Sequence, residues 1–238
     1  MSKIPMIYKN GLRLQINDYV QFAHNSNFDL NQSGDWTINY HFRMINLPTN
    51  YMFLAAHGFT PTSWNIQTTG SNSTICQLRM FQNFPTNFIE ISHSSLVVGN
   101  WYNVAFVKSG SNYKVYLNAI DSTIGVSITG NPTSVANSAP FYIGGLQTTF
   151  PSNIEIATFV VYNVALNLSE LQQLSANPYA DIQLANRQIQ MNFNKQSGFS
   201  VPEVITSNNG TINNQPIGDW VAVTPDKVLR VNNKILRT

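Results

Sequence analysis

Apolar and polar residues alternate with a period of two along most of this chain, most clearly in residues 101–118, WYNVAFVKSGSNYKVYLN. Residues 101–108 are almost wholly apolar and 109–112 are turn residues. Tyr113, Val115 and Leu117 then alternate with polar neighbours, which predicts a β-hairpin. A first strand apolar on both sides is expected inside a covered sheet, and an alternating second strand is expected to keep one face in water. Residues 35–44 place Trp36, Ile38, Tyr40 and Phe42 on one side and Thr37, Asn39, His41 and Arg43 on the other, the pattern of a long sandwich strand. Shorter strands are expected at 12–16, 19–22, 52–56, 75–81, 88–92, 124–128, 141–143, 154–162, 189–193 and 211–212, separated by loops rich in Pro, Asn, Ser and Thr. Strands at such spacing indicate an all-β antiparallel sandwich or jelly roll.

One segment departs from this period. Asn167 followed by Glu170 is a capping-box pattern, Leu168, Leu171 and Leu174 form a stripe, and Asn177-Pro178 ends the element, so one short helix is expected near 167–176. Toward the end of the chain, Asn232-Asn233 separates two apolar-basic stretches and suggests a terminal hairpin. The expected division is a sandwich over 1–218, completed by strands within 188–214, and a basic tail over 219–238. Lys227, Arg230, Lys234 and Arg237 in that tail read either as a charged edge that resists aggregation or as a docking element for an acidic partner surface.

Composition narrows the function classes. Only 10% of residues are charged and the net charge is +2, so the chain lacks the basic footprint of a nucleic-acid binder. With 43% hydrophobic and 12% aromatic residues it is expected to fold. The single cysteine, Cys76, excludes a disulfide within the chain and reads as a small buried residue. The first residues carry no apolar run of signal-peptide length, and no stretch reaches the ~18 apolar residues of a membrane span. The expectation is synthesis in the cytoplasm without membrane insertion, unless an export signal has been removed.

Glycoside hydrolysis needs two carboxyl groups about 5.5 to 9.5 Å apart. The eleven acids are scattered, no two lying within four residues, so a strand-borne pair is missing and no catalytic residue is assigned. Histidines 24, 41, 57 and 93 lack metal-ligand spacing, and a Gly-rich phosphate loop is missing, so neither a metal ligand nor a cofactor is assigned. Sugars bind aromatic faces flanked by amides and hydroxyls. Tyr51 and Trp64, each set among turn residues, are the candidate stacking groups; His41 and Arg43 are candidates on an open sheet face. Trp36 and Trp101 are assigned to the core.

Several segments together, INDYVQFAHNSNFDL (16–30), DWTINYHFRM (35–44), WYNVAFVKSGSNYKVYLNA (101–119) and FYIGG (141–145) followed by IATFVVYNVALNLSEL (156–171), resemble the laminin-G-like, concanavalin-A-like lectin/glucanase superfamily over about residues 11–175. The resemblance implies a jelly-roll sandwich of two curved sheets that binds glycans or protein surfaces. Residues 188–214 are similar to a segment that precedes this region in many members, whereas here it follows. Many members carry acids after the isoleucine leading into the Tyr-Asn turn; this chain has Ala157 and Thr158, with Glu155 before them. That departure leaves room only for a weak calcium site of Asn and backbone oxygens.

The combined expectation is a non-catalytic module on a virion surface, fibre or decoration, held by protein partners as a homo-oligomer, with a glycan or host surface as a further partner. A stand-alone extracellular lectin is the alternative, and a glucanase-type hydrolase a distant third.

Overall fold

The computed structural model describes residues 11–15, 17–46, 52–58, 62–68, 76–82, 87–93, 96–132, 136–145, 153–193, 200–201, 203–213, 220–221, 229–231 and 234–236. Strands are numbered in chain order. One antiparallel sheet runs, side by side, through β10 (Ile120–Asp121), β9 (Asn112–Leu117), β8 (Trp101–Ser109), β3 (Trp36–Met44), β13 (Ile154–Tyr162), β1 (Gly11–Leu14) and β17 (Trp220–Val221), with β14 (Arg187–Asn192) paired to the second half of β13. The other runs through β11 (Gly125–Thr129), β7 (Asn87–His93), β6 (Cys76–Gln82), β5 (Thr62–Thr68), β4 (Met52–His57), β12 (Phe141–Ile143), β2 (Tyr19–Phe22), β16 (Gly210–Asn213) and β15 (Ser200–Val201). A separate ladder joins β18 (Leu229–Val231) to β19 (Lys234–Leu236).

The two large sheets face each other as a jelly-roll sandwich. Trp36, Ile38, Tyr40, Phe42, Val104, Phe106 and Phe159 of the eight-stranded sheet share one core with Phe22, Trp64, Ile66, Phe141 and Ile143 of the nine-stranded sheet. The Trp64 and Phe159 rings stack across the gap at 6.4 Å, and the Tyr40 hydroxyl donates to the Leu54 carbonyl at 3.3 Å.

A second apolar layer lies on the outer side of the eight-stranded sheet. Here α1 (Leu168–Ala176) and the adjoining chain set Leu166, Leu171, Leu174 and Ile182 on Ala105, Val107, Val160 and Tyr162. This explains why β8 reads as apolar on both faces: one face packs in the sandwich, the other under the helix. The capping box forms as expected, with Asn167 Oδ1 accepting from the Glu170 N–H at 3.1 Å and Glu170 Oε2 accepting from the Asn167 N–H at 2.8 Å. Leu168, in contrast, does not join the buried stripe and is exposed at the first turn.

The hairpin from β9 into β10 turns on Asn118 and Ala119 with φ of 51° and 61°, as a two-residue primed turn requires. Gly144, at φ 85°, closes on Leu14 so tightly that an added Cβ would stand 2.3 Å from Leu14 Cδ1. That pair ties the end of β12 to β1 across the sandwich.

The strand β5 corrects the sequence reading. Residues 62–65 were expected as a loop carrying an accessible Trp64, yet Trp64 sits mid-strand at 0% exposure, its indole N–H donating to the Phe28 carbonyl at 2.7 Å. Trp64 and Ile66 of that strand belong to the hydrophobic core. Ser63, Asn65 and Gln67 form its other side, and this amide-rich face gave the segment the composition of a loop.

Candidate functional site

The outer face of the eight-stranded sheet has an apolar half under α1 and a polar half beyond it. Strand register builds the polar half row by row: Arg13 stands opposite Glu155, Glu155 opposite Arg43, and Arg43 opposite Trp101. The next row sets Thr158 opposite His41 and His41 opposite Asn103. A register shift between Ile156 and Thr158 accommodates Ala157, so that Ile156 and Phe159 both face the core while Glu155 and Thr158 both face outward.

The side chains of these rows interlock. Arg43 holds Glu155 through Nε at 2.6 Å and Nη2 at 2.5 Å, both to Oε2. Glu155 is 3% exposed and Arg43 29%, so the pair is anchored below and open above. The Arg43 guanidinium also lies 5.4 Å from the centre of the Trp101 ring, and the His41 ring stacks on Trp101 at 5.5 Å and 24°. Burial depresses the His41 pKa to about 3, so this ring is neutral at ordinary pH. Beside them on the same sheet face Asn39 and Asn103 exchange two amide hydrogen bonds of 3.1 Å, and Asn118 Oδ1 accepts from the Asn103 N–H at 2.9 Å. The result is a partly exposed indole beside a fixed guanidinium–carboxylate pair, bordered by a buried amide pair on the same sheet face.

His41 and Arg43 therefore fall on one locus, as neighbours on β3 two residues apart. Trp64 belongs to the core instead, and Tyr51 lies outside the described residues. The same holds for Lys227 and Arg237 and for the side chains of Arg230 and Lys234, whose backbones belong to the β18–β19 ladder. Trp101 is a second correction. Expected in the core, it lies half-buried on the outer face, because it shares its parity on β8 with Asn103, Ala105 and Val107 rather than with the core residues Tyr102, Val104 and Phe106. That parity is written in the sequence; the partners Arg13 and Glu155 are not, because register alone brings them to the row.

A second polar cluster closes one end of the sandwich. His57 is buried, stacks on His24 at 5.7 Å and 7°, and sets Nδ1 3.6 Å from Asp29 Oδ1. Burial, then the neighbouring His24, lowers the His57 pKa to about 4, while burial raises that of Asp29. Desolvation outweighs the attraction of a carboxylate at that distance. Asn137 bridges the pair, its Nδ2 donating to the His57 carbonyl at 3.2 Å and its N–H to Asp29 Oδ1 at 3.3 Å. Among the described residues no group of three or more His, Cys, Asp or Glu is placed to hold a metal ion.

Comparison with known proteins extends the geometry. No curated protein sequence matches the chain. Among solved structures, a "putative carbohydrate binding protein" from Bacteroides ovatus is similar at a TM-score of 0.64 and 15% identity, over 91% of this chain and 60% of that one. The binding domain of Paraclostridial Mosquitocidal Protein 1 is similar at 0.54 and 18% identity, over 73% of this chain and 47% of that one. The binding domain of botulinum neurotoxin serotype G is similar at 0.53 and 11% identity, over 66% and 40%. At such identities these likenesses establish a shared fold, and the chain spans 60% or less of each of those structures. The family model of the concanavalin A-like lectin/glucanases superfamily matches residues 14–172, two-thirds of the sequence and the greater part of both sheets, and the chain belongs to that family.

Proposed function

We propose that this protein is a non-catalytic carbohydrate-binding module whose ligand lies against Trp101 and the Arg43–Glu155 pair. The observation that carries the proposal is that arrangement itself. The part of the indole that His41 and Arg43 leave exposed gives apolar surface to the C–H side of a sugar ring, and the guanidinium, fixed by Glu155, supplies donors for the hydroxyls. Neutral His41 stacked on the indole and Glu155 bonded to the guanidinium hold the two in place, which limits the ordering cost of binding. Membership of a lectin/glucanase superfamily and the likeness to a "putative carbohydrate binding protein" and two toxin binding domains support the same reading.

Binding without turnover is favoured because the three buried carboxylates among the described residues are engaged structurally. Asp18 Oδ2 accepts from the Gln15 N–H at 2.9 Å, and Glu155 is held by Arg43. Glu203 accepts from the N–H groups of Gln190 at 2.9 Å, Ile205 at 3.0 Å and Thr206 at 2.5 Å, and from the Thr206 hydroxyl. The expected place on a virion stays outside this proposal, because neither the geometry nor the likenesses above bear on it. A glycan array followed by calorimetry tests the reading: at least one glycan binds, Trp101→Ala and Arg43→Ala each weaken it tenfold or more, and no glycan is cleaved. A blank array, or binding that survives both substitutions, refutes the assignment.

A further inference from the structure

Both large sheets end in short strands on one flank of the sandwich, and an apolar row is left uncovered there. Among the described residues, β10 closes the eight-stranded sheet and β11 the nine-stranded one. Residues 122–124 alone join them, and at ~3.3–3.6 Å per residue so short a link keeps the two edges together. Ile124, Val126 and Ile128, spaced two apart, are 58%, 42% and 51% exposed, and Ile120 on β10 is exposed as well. Across the ladder Val126 lies beside Ile91 and Ile128 beside Ile89, both core residues. The row is thus the core-facing surface of the nine-stranded sheet, continued past the point where the opposing sheet stops.

Edge strands are ordinarily protected by charge, proline or a bulge, because their unpaired N–H and C=O groups accept any compatible strand. Residues 122–129, STIGVSIT, contain no charged residue and no proline, and β11 pairs with β7 without a register shift. The apolar positions also read the same in both directions, Ile-x-Val-x-Ile. An antiparallel pairing about a two-fold axis at Val126 sets Ile124 opposite Ile128 of a second copy and Val126 opposite its own equivalent, apolar against apolar throughout.

We propose that β11 is a self-association edge, at which two copies of this chain pair antiparallel and join their nine-stranded sheets into one continuous sheet. The palindromic register favours a second copy over an unrelated strand, because every contact is satisfied by the same short sequence. One strand pair with its flanking isoleucines buries less than the ~1,200 Å² at the low end of stable interfaces, so the dimer is weak and concentration-dependent.

Sedimentation velocity of the full chain across rising concentration tests this, with the sedimentation coefficient moving from the monomer toward the dimer value. Val126→Lys, which sets two like charges across the axis, holds the chain monomeric over the same range while its circular dichroism and melting temperature stay unchanged. In a Cys76→Ser background, Val126→Cys cross-links to itself under mild oxidation, because facing residues of an antiparallel pair stand about 4.5–5.5 Å apart at Cα, within disulfide reach. Ile128→Cys alone does not, and Ile124→Cys with Ile128→Cys does. A wild-type chain that remains monomeric at the highest concentration, a Val126→Lys chain that still dimerises, or self-cross-linking of Ile128→Cys as fast as Val126→Cys each overturns the proposal.

Discussion

Trp64 and Trp101 carry the same ring, and their neighbours give them opposite roles. Trp64 packs against Phe141 and Phe159 at 0% exposure with its N–H bonded, whereas Trp101 is half-buried between His41 and Arg43 on an outer sheet face. Replacing Trp64 with Ala removes a large buried ring and its hydrogen bond to the Phe28 carbonyl, so a loss of about 3–5 kcal/mol is expected in urea unfolding. Trp101→Ala gives up mainly ring stacking and a cation–π contact of about 0.5–1 kcal/mol, so its effect on stability falls well below that of Trp64→Ala. Equal losses for the two would show that Trp101 belongs to the core after all. Local composition misassigned both residues in the sequence. Trp64 sits among Thr, Ser and Asn because its strand buries amides on the far side, and Trp101 stands beside apolar residues because its strand is covered on both faces.

Elements were legible where one strand states its whole environment. Residues 141–143 and 154–162 were expected as strands and form β12 and β13 with those bounds, because Ile, Val, Phe and Tyr dominate both. The helix was legible from its cap. Register was not legible, since nothing local in Arg13, Glu155 or Arg43 says that three strands distant in sequence place them side by side; only pairing does. The cap offers a test of how much α1 depends on local signals. Asn167→Ala leaves the Glu170 N–H without its acceptor and costs about 1 kcal/mol, read as a lower urea midpoint at unchanged slope. A changed slope would mean that the layer over Ala105, Val107, Val160 and Tyr162 loosens as a unit instead.

At the scale of the whole molecule, two buried histidines link stability to pH. His41 and His57 have folded pKa values of about 3 and about 4 against 6.5 for the free side chain, each chiefly through burial. Between pH 6.5 and 4 the unfolded chain therefore binds protons that the folded chain refuses. Stability is full above pH 6.5, falls on the order of a few kcal/mol as pH drops toward 4, and stops falling on their account once the folded histidines titrate too. Asp29, raised by burial, works in the opposite sense at the acid end. Urea titrations across this range should show the slope, and His41→Asn and His57→Asn should each flatten it; a slope untouched by both would place the linkage elsewhere. Neutral His41 stacked on Trp101 adds no charge to the platform through this range, which suits a site that binds by shape and hydrogen bonds. The chain has four tryptophans, and two of them, Trp36 and Trp64, are buried in the sandwich core. Titrating an array-selected glycan into labelled protein and following the four indole Nε1–H signals by NMR tests the central claim most directly. The account predicts that the Trp101 signal shifts with saturation while those of Trp36 and Trp64 stay in place; saturable binding that leaves Trp101 unmoved would contradict it.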